Sequence, residues 1–119
     1  MKFDFVTLYV KDMAASLEFY HQLLGLTILR RFSIENGEIV FVGANGQPAI
    51  ELIAGPDNAQ NTYSGFSIGI EVASLDEATA RLGQAGFPVI RGPVSPDGAT
   101  RFSFIQDPNG IEVELIEYR

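Results

Sequence analysis

The chain has 119 residues, a formal net charge of −7, no cysteine and 46% hydrophobic residues. This length supports one domain with a true core, and the lack of cysteine excludes a disulfide framework, a thiol nucleophile and a thiolate metal site. The negative charge disfavours nucleic acid, because phosphate binding needs clustered Lys and Arg. Since we find no apolar signal-peptide region and no run long enough to cross a bilayer, we expect a cytoplasmic protein without membrane contact.

The first half of the chain reads as one strand, one helix and three further strands. The elements are predicted over residues 3–10, about 13–24, and near 27–34, 38–43 and 48–54. In the first strand, the period of two places Phe5, Thr7 and Tyr9 on one face. Asp12 suits the N-cap of the helix, and Gly25 suits its left-handed C-cap.

The second half repeats this order after a polar linker over residues 55–64. Its elements are predicted as a strand over 66–72, a helix from 75 to about 85, and strands near 88–92, 100–106 and 111–118. Ser74 and Glu77 form a capping-box pattern at the start of the helix, and Gly86 ends it. Each half is therefore β-α-β-β-β, and its single helix covers only one face of its sheet.

Two short segments mark the duplication most clearly. Glu51 in Ile-Glu-Leu-Ile and Glu114 in Val-Glu-Leu-Ile lie 63 positions apart, and Val10 and Val72 close their strands 62 positions apart. We therefore predict an α+β fold of two tandem βαβββ units, about residues 1–55 and 64–119, within a single domain over 1–119.

This pattern resembles the vicinal oxygen chelate superfamily, which contains glyoxalase I, extradiol dioxygenases and bleomycin-resistance proteins. The resemblance is carried by Val10-Lys11-Asp12, Phe19-Tyr20, Leu24-Gly25-Leu26, Asp107-Pro108-Asn109-Gly110 and Glu114-Leu115. It implies a curved mixed sheet around a cavity with the helices outside. It also implies a homodimer whose ligand is a small organic molecule.

Metal-dependent members of the superfamily take one metal ligand from each first strand and one from each last strand. On this chain the last-strand positions hold Glu51 and Glu114, while the first-strand positions hold Phe5 and Ser67. Phe5 has no lone pair to donate, and a serine hydroxyl is a poor ligand for a transition metal. We therefore expect no cofactor, with Glu51 and Glu114 as the metal ligands if a divalent ion is bound.

Strand parity places the two glutamates on the concave faces, and Glu71 shares the face of Ser67. Carboxylates brought together there would raise each other's proton affinity, so that Glu114 or Glu51 becomes a catalytic base or an anchor for a cation. In the alternative interpretation, each glutamate ends a strand at the solvent boundary and pairs with an arginine. The candidate ligand-binding residues are Phe5, Thr7, Tyr9, Ser67 and Glu71. Two roles are open for the arginines near these strands, either contact with an anion or a solvated charge at the surface. These residues are Arg30, Arg31, Arg91 and Arg101.

Two main functions follow from these patterns. The first is a small-molecule binding protein of the glyoxalase/bleomycin-resistance type, without a full metal site, that sequesters a drug or toxin. The alternative is a metal-dependent lyase, isomerase or dioxygenase that acts on a small oxygenated substrate, with Glu51 and Glu114 as ligands or base. A metal-free enzyme with either glutamate as base is a third interpretation. If the protein is an enzyme, the resemblance implies a glyoxalase-like lyase or a dioxygenase.

Overall fold

The computed structural model describes residues 1–119. The chain separates into two compact units, Met1–Thr62 and Tyr63–Arg119. The first contains β1 (Phe5–Val10), α1 (Met13–Leu17), a π-helical segment (Glu18–Leu23), β2 (Thr27–Ile34), β3 (Gly37–Gly43), β4 (Ala49–Ala54) and a 3₁₀ turn (Pro56–Asn58). The second contains β5 (Ser67–Glu71), α2 (Leu75–Gln84), β6 (Arg91–Val94), β7 (Thr100–Gln106) and β8 (Glu112–Tyr118).

Each unit forms its own four-stranded mixed sheet. The strand orders are β1-β4-β3-β2 and β5-β8-β7-β6, so the two sheets have the same topology. In each, the first strand runs parallel to the last strand and the remaining neighbours are antiparallel. The α+β fold of two tandem βαβββ units is therefore confirmed. None of the helices is long and apolar enough to cross a membrane.

One face of each sheet carries the hydrophobic core. In the first unit, Leu8, Val40 and Leu52 are at most 1% exposed and belong to the face that α1 covers. In the second unit, Val113 and Leu115 are fully buried on the face covered by α2. The opposite face has no helix over it, because each unit supplies only one.

The predicted helix caps are confirmed. The Asp12 carboxylate accepts a hydrogen bond from the Ala15 backbone N–H at 3.0 Å, and the Ser74 hydroxyl accepts one from the Glu77 N–H at 3.2 Å. Gly86, with φ of +97°, follows α2 in the left-handed conformation that glycine adopts without steric cost.

The first helix differs from its prediction. The α-helical part ends at Leu17, and residues 18–23 form a π-helical turn in which the Leu24 N–H donates to the Phe19 carbonyl, five residues earlier. Phe19 and Tyr20, adjacent in sequence, are both fully buried, with ring centroids 4.9 Å apart. The hydrophobic pattern alone did not distinguish this wider turn from an α-helix.

Two predicted strand boundaries were wrong. The first strand begins at Phe5 rather than residue 3, and the strand predicted near 88–92 lies at Arg91–Val94. The strand lies toward the C-terminus of the predicted segment, and its pairing with β7 is irregular between Arg91 and Val94, where Pro93 lacks the N–H that a sheet ladder requires.

Candidate functional site

The open face of the first sheet contains a row of four residues, one from each strand. Strand register places Arg30 of β2 opposite Phe41 of β3, Phe41 opposite Glu51 of β4, and Glu51 opposite Thr7 of β1. Side chains alternate between the two faces of a strand, and Leu8, Val40 and Leu52 are directed to the core. The row therefore lies on the uncovered face, where the sequence placed Glu51.

Glu51 is tied to this row by a short hydrogen bond. The Thr7 hydroxyl donates to the Glu51 carboxylate over 2.5 Å, and both residues are half-buried. A carboxylate acceptor makes this a charge-assisted bond, which is stronger than a bond between neutral groups. Thr7 therefore orients the Glu51 carboxylate on the open face.

Aromatic rings surround the row. Phe5 contacts Phe41 edge to face with ring centroids 5.5 Å apart, and Phe5 and Tyr9 are 44% and 50% exposed. The guanidinium carbon of Arg30 lies 5.2 Å from the Phe41 ring centroid and 5.3 Å from that of Phe32. Such distances are typical of cation–π contacts. The predicted site residues Phe5, Thr7 and Tyr9 therefore share one face with Glu51.

The second sheet has an equivalent row on its open face. Arg91 of β6 lies opposite Phe104 of β7, which lies opposite Glu114 of β8 and then Gly69 of β5. Glu114 is half-buried. Ser67 and Glu71, both exposed, lie two residues before and after Gly69 and therefore share this face. Glu51 and Glu114 belong to different units.

Arg91 contacts both a carboxylate and an aromatic ring in the second row. Its guanidinium lies 4.3 Å from the Phe104 ring centroid and donates to both carboxylate oxygens of Glu112, at 2.5 and 3.3 Å. The hydrogen bonds from Arg91 lower the pKa of Glu112, and the same bonds raise the pKa of Arg91. The two charges therefore neutralise each other within the site.

A pocket of about 370 Å³ opens beside this cluster. Its walls include Tyr63, Phe66, Ser67, Phe104, Arg91 and Glu112. Its size lies within the range of pockets that hold small organic ligands. Among the predicted site residues only Ser67 lines it, and the sequence pattern did not decide whether Phe66 and Phe104 lie in the core or in the cavity. The 63-residue repeat makes Phe104 the counterpart of Phe41, and the structure places both rings on open sheet faces.

Neither candidate glutamate pairs with an arginine. The ion pairs formed by arginine side chains are Arg31–Glu38, Arg91–Glu112, Arg101–Asp76 and Arg119–Glu117. The arginine pairing of the alternative interpretation is therefore absent at Glu51 and Glu114. Of the four candidate arginines, Arg31, Arg91 and Arg101 form ion pairs, and Arg30 packs on aromatic rings. Arg30, Arg31 and Arg91 are nevertheless exposed to solvent, whereas Arg101 is partly shielded.

The donor set does not fit a transition metal. The Phe5 ring packs on Phe41 where a ligand would be needed, and Ser67 contributes only a hydroxyl. No three His, Asp or Glu side chains approach one another closely enough to hold a metal ion. The chain's one histidine, His21, is exposed, and its Nδ1 lies 2.7 Å from the Leu26 carbonyl. It offers no nitrogen donor to either row.

The fold and the two rows define a class of protein built from paired βαβββ units, each with an uncovered sheet face that carries glutamate from its last strand. The family model of the Glyoxalase/Bleomycin resistance protein/Dioxygenase superfamily matches residues 2–115. The chain belongs to this superfamily.

Similar proteins agree with this assignment. A lactoylglutathione lyase of Escherichia coli O157:H7 is 34% identical, over 91% of this chain and 86% of the relative. A lactoylglutathione lyase of Neisseria meningitidis serogroup A is 32% identical, over 91% of this chain and 84% of the relative. The structure of a glyoxalase family protein from Bacillus cereus has a TM-score of 0.83 at 20% identity, over 97% of this chain and 92% of that one. That structure supports the fold alone.

Proposed function

We propose that this protein binds a small organic molecule on its open sheet faces and does so without a transition-metal centre. The observation that carries the proposal is the chemistry at the first-strand positions, where Phe5 packs on Phe41 and Ser67 lines a pocket. Exposed aromatic rings with a few polar groups are typical of sites for organic ligands. Sequestration of a drug or toxin is the role that fits such a site.

The glutamates have a binding role in this proposal. Thr7 donates to Glu51 on a face lined by aromatic rings, so the carboxylate is oriented to accept a hydrogen bond from a ligand. Tyr9 extends the same face in the first unit, and Glu71 extends the face of Ser67 in the second. The site residues thus serve orientation and selectivity, while the rings supply contact area.

Elemental analysis tests the absence of a metal centre. We expect protein purified without chelators to carry much less than one equivalent of nickel, zinc, iron or manganese after dialysis. Added metal should leave the affinity for organic ligands unchanged. One tightly bound transition-metal ion per chain would overturn the proposal.

A metal-dependent lyase is the second candidate, because relatives at 32% and 34% identity bear the name lactoylglutathione lyase and both last-strand glutamates are kept. An isomerase or a dioxygenase of a small oxygenated substrate would use the same residues. Turnover of lactoylglutathione, measured with each divalent metal in turn, tests it. Activity that is lost on chelation and in both Glu51→Gln and Glu114→Gln would favour the enzyme.

The proposal includes a cytoplasmic location and a homodimeric state. Both follow from the resemblance to the superfamily and from relatives in bacteria. Sedimentation equilibrium tests the dimer, and a monomer at micromolar concentration would contradict it. Fractionation of cells that express the protein tests the location.

A further inference from the structure

The internal duplication allows the two open faces to be compared position by position. Arg30 and Arg91 are equivalent, because each lies opposite the aromatic residue of the third strand in its unit, Phe41 or Phe104. Each guanidinium also packs on that ring, at 5.2 Å for Arg30 and 4.3 Å for Arg91. The two units thus place a cation over an aromatic ring in the same way.

The units differ in what neutralises that cation. Glu112, the bidentate partner of Arg91, has Ala49 as its counterpart 63 positions earlier. Strand register agrees, since Glu112 lies opposite Ser67 on β5 as Ala49 lies opposite Phe5 on β1. Arg30 takes part in none of the ion pairs of the chain. Its positive charge is therefore uncompensated by a direct partner.

The surroundings of Arg30 specify a ligand with a flat apolar part. The Arg30 guanidinium packs on the rings of Phe32 and Phe41, and the Phe5 ring packs on Phe41. Phe5 and Phe32 are 44% and 39% exposed. A guanidinium presents a rigid fork that matches a carboxylate, and exposed rings favour a planar partner. Glu51 lies two strands from Arg30, about 10 Å away at the usual strand spacing, and would repel a second negative charge.

We propose that the open face of the first unit binds a planar organic monoanion, an aromatic carboxylate, and that Arg30 receives its carboxylate group. The ring of the ligand lies against Phe5 and Phe41, and Glu51 limits the ligand to one negative charge. The second unit lacks this preference, because Glu112 occupies the fork of Arg91. This inference rests on the proposed function, since it names the ligand class of one of its two faces.

Naphthoate and its neutral amide, naphthamide, are matched probes that differ in charge at one position. Titration calorimetry should show saturable naphthoate binding to the wild type, at least about tenfold tighter than naphthamide, as expected for a charge-assisted bidentate contact. Arg30→Gln should weaken naphthoate binding by at least about tenfold and leave naphthamide within about twofold. Arg31→Gln is the matched control, because Arg31 is the next residue of β2 and pairs with Glu38, and it should change neither affinity by more than about twofold.

A transplant provides a second variant that leaves Arg30 in place. Phe5→Ser with Ala49→Glu copies the residues that surround Arg91, and Phe5→Ser alone is its control. The added carboxylate should pair with Arg30 and abolish the preference for naphthoate over naphthamide, while the control keeps that preference. Far-UV circular dichroism of every variant verifies that the fold is retained.

The inference is overturned if naphthoate does not bind, if naphthamide binds equally well, or if Arg30→Gln and Arg31→Gln have the same effect. Equal binding of both probes would remove the role of Arg30 but leave small-molecule binding intact. One tightly held transition-metal ion per chain would instead remove the proposed function, whichever probe binds.

Discussion

Asn58 joins the polar segment after β4 to the sheet of the first unit, and its removal should be costly. The side chain is 8% exposed, and its amide donates to the carbonyls of Val10 at 3.1 Å and Ile53 at 2.9 Å. These carbonyls lie near the ends of β1 and β4, the parallel pair that carries Thr7 and Glu51. Asn58→Ala would leave both acceptors without this donor.

The magnitude follows from the two bonds. A buried acceptor that loses its partner costs roughly 1–3 kcal/mol, and the lost side-chain contacts add to this. Because solvent relaxation recovers part of the cost, we expect Asn58→Ala to lower the free energy of unfolding by about 2–4 kcal/mol. At roughly 4 °C per kcal/mol for a chain of this size, Tm should fall by about 8–16 °C.

Urea unfolding followed by far-UV circular dichroism is the suitable assay, because the chain has no tryptophan. Asp57→Ala is the matched control, since Asp57 lies in the same 3₁₀ turn but is exposed. It should change the free energy of unfolding by less than about 0.5 kcal/mol. Equal effects of the two variants would refute the assignment of the stability to the Asn58 amide.

Asn58→Asp sharpens this test at nearly constant volume. The new carboxylate would face two carbonyls without a donor, so at neutral pH the variant should be less stable than Asn58→Ala. Burial raises the pKa of such a carboxyl above its unfolded value of about 3.9, so protonation favours the folded state. The difference in the free energy of unfolding between wild type and Asn58→Asp should therefore shrink as the pH falls through the raised pKa. A free-energy difference that does not change with pH would contradict this reasoning.

Two further predictions concern α2 and the last strand. Ser74→Ala removes the acceptor for the Glu77 N–H and should lower the free energy of unfolding by about 1 kcal/mol, measured by urea titration, whereas a change below the error of that titration would contradict the cap. The Glu117 carboxylate accepts hydrogen bonds from the Leu75 N–H and from the Arg119 side chain. Both bonds lower the pKa of Glu117, and the bond from Leu75 lowers it most. Its contribution is therefore present above its unfolded pKa and is lost as the pH falls through the folded pKa. The difference in the free energy of unfolding between wild type and Glu117→Gln should thus narrow as the pH falls, and a difference that does not change with pH would be inconsistent with this reasoning.

Local patterns in the sequence were sufficient for the architecture. The period of two in β1 and the caps at Asp12 and Ser74 depend on near neighbours along the chain, so the sequence alone predicted the elements. The π-helical turn at residues 18–23 and the displaced strand at 91–94 were missed. Both depend on packing and pairing with distant segments, which local periodicity does not record.

The candidate site was likewise only partly predictable from the sequence. The residues at the first-strand positions, Phe5 and Ser67, were readable from the sequence, and with them the mismatch to a nitrogen-ligated metal. Which residue lies opposite Glu51 was not readable, because register across a parallel pair is decided by the whole sheet. Only the structure places Thr7 there, two residues beyond Phe5.

The sequence by itself determined the duplicated βαβββ order, the faces on which Glu51 and Glu114 lie, and the absence of nitrogen donors from the first-strand positions, because all three depend on residue type and spacing. The tertiary structure alone decided which charges are neutralised. Arg91 and Glu112 are 21 residues apart in the chain yet form a bidentate pair. Arg30 packs on two aromatic rings and forms no ion pair, since a charge pair across strands depends on register and side-chain reach.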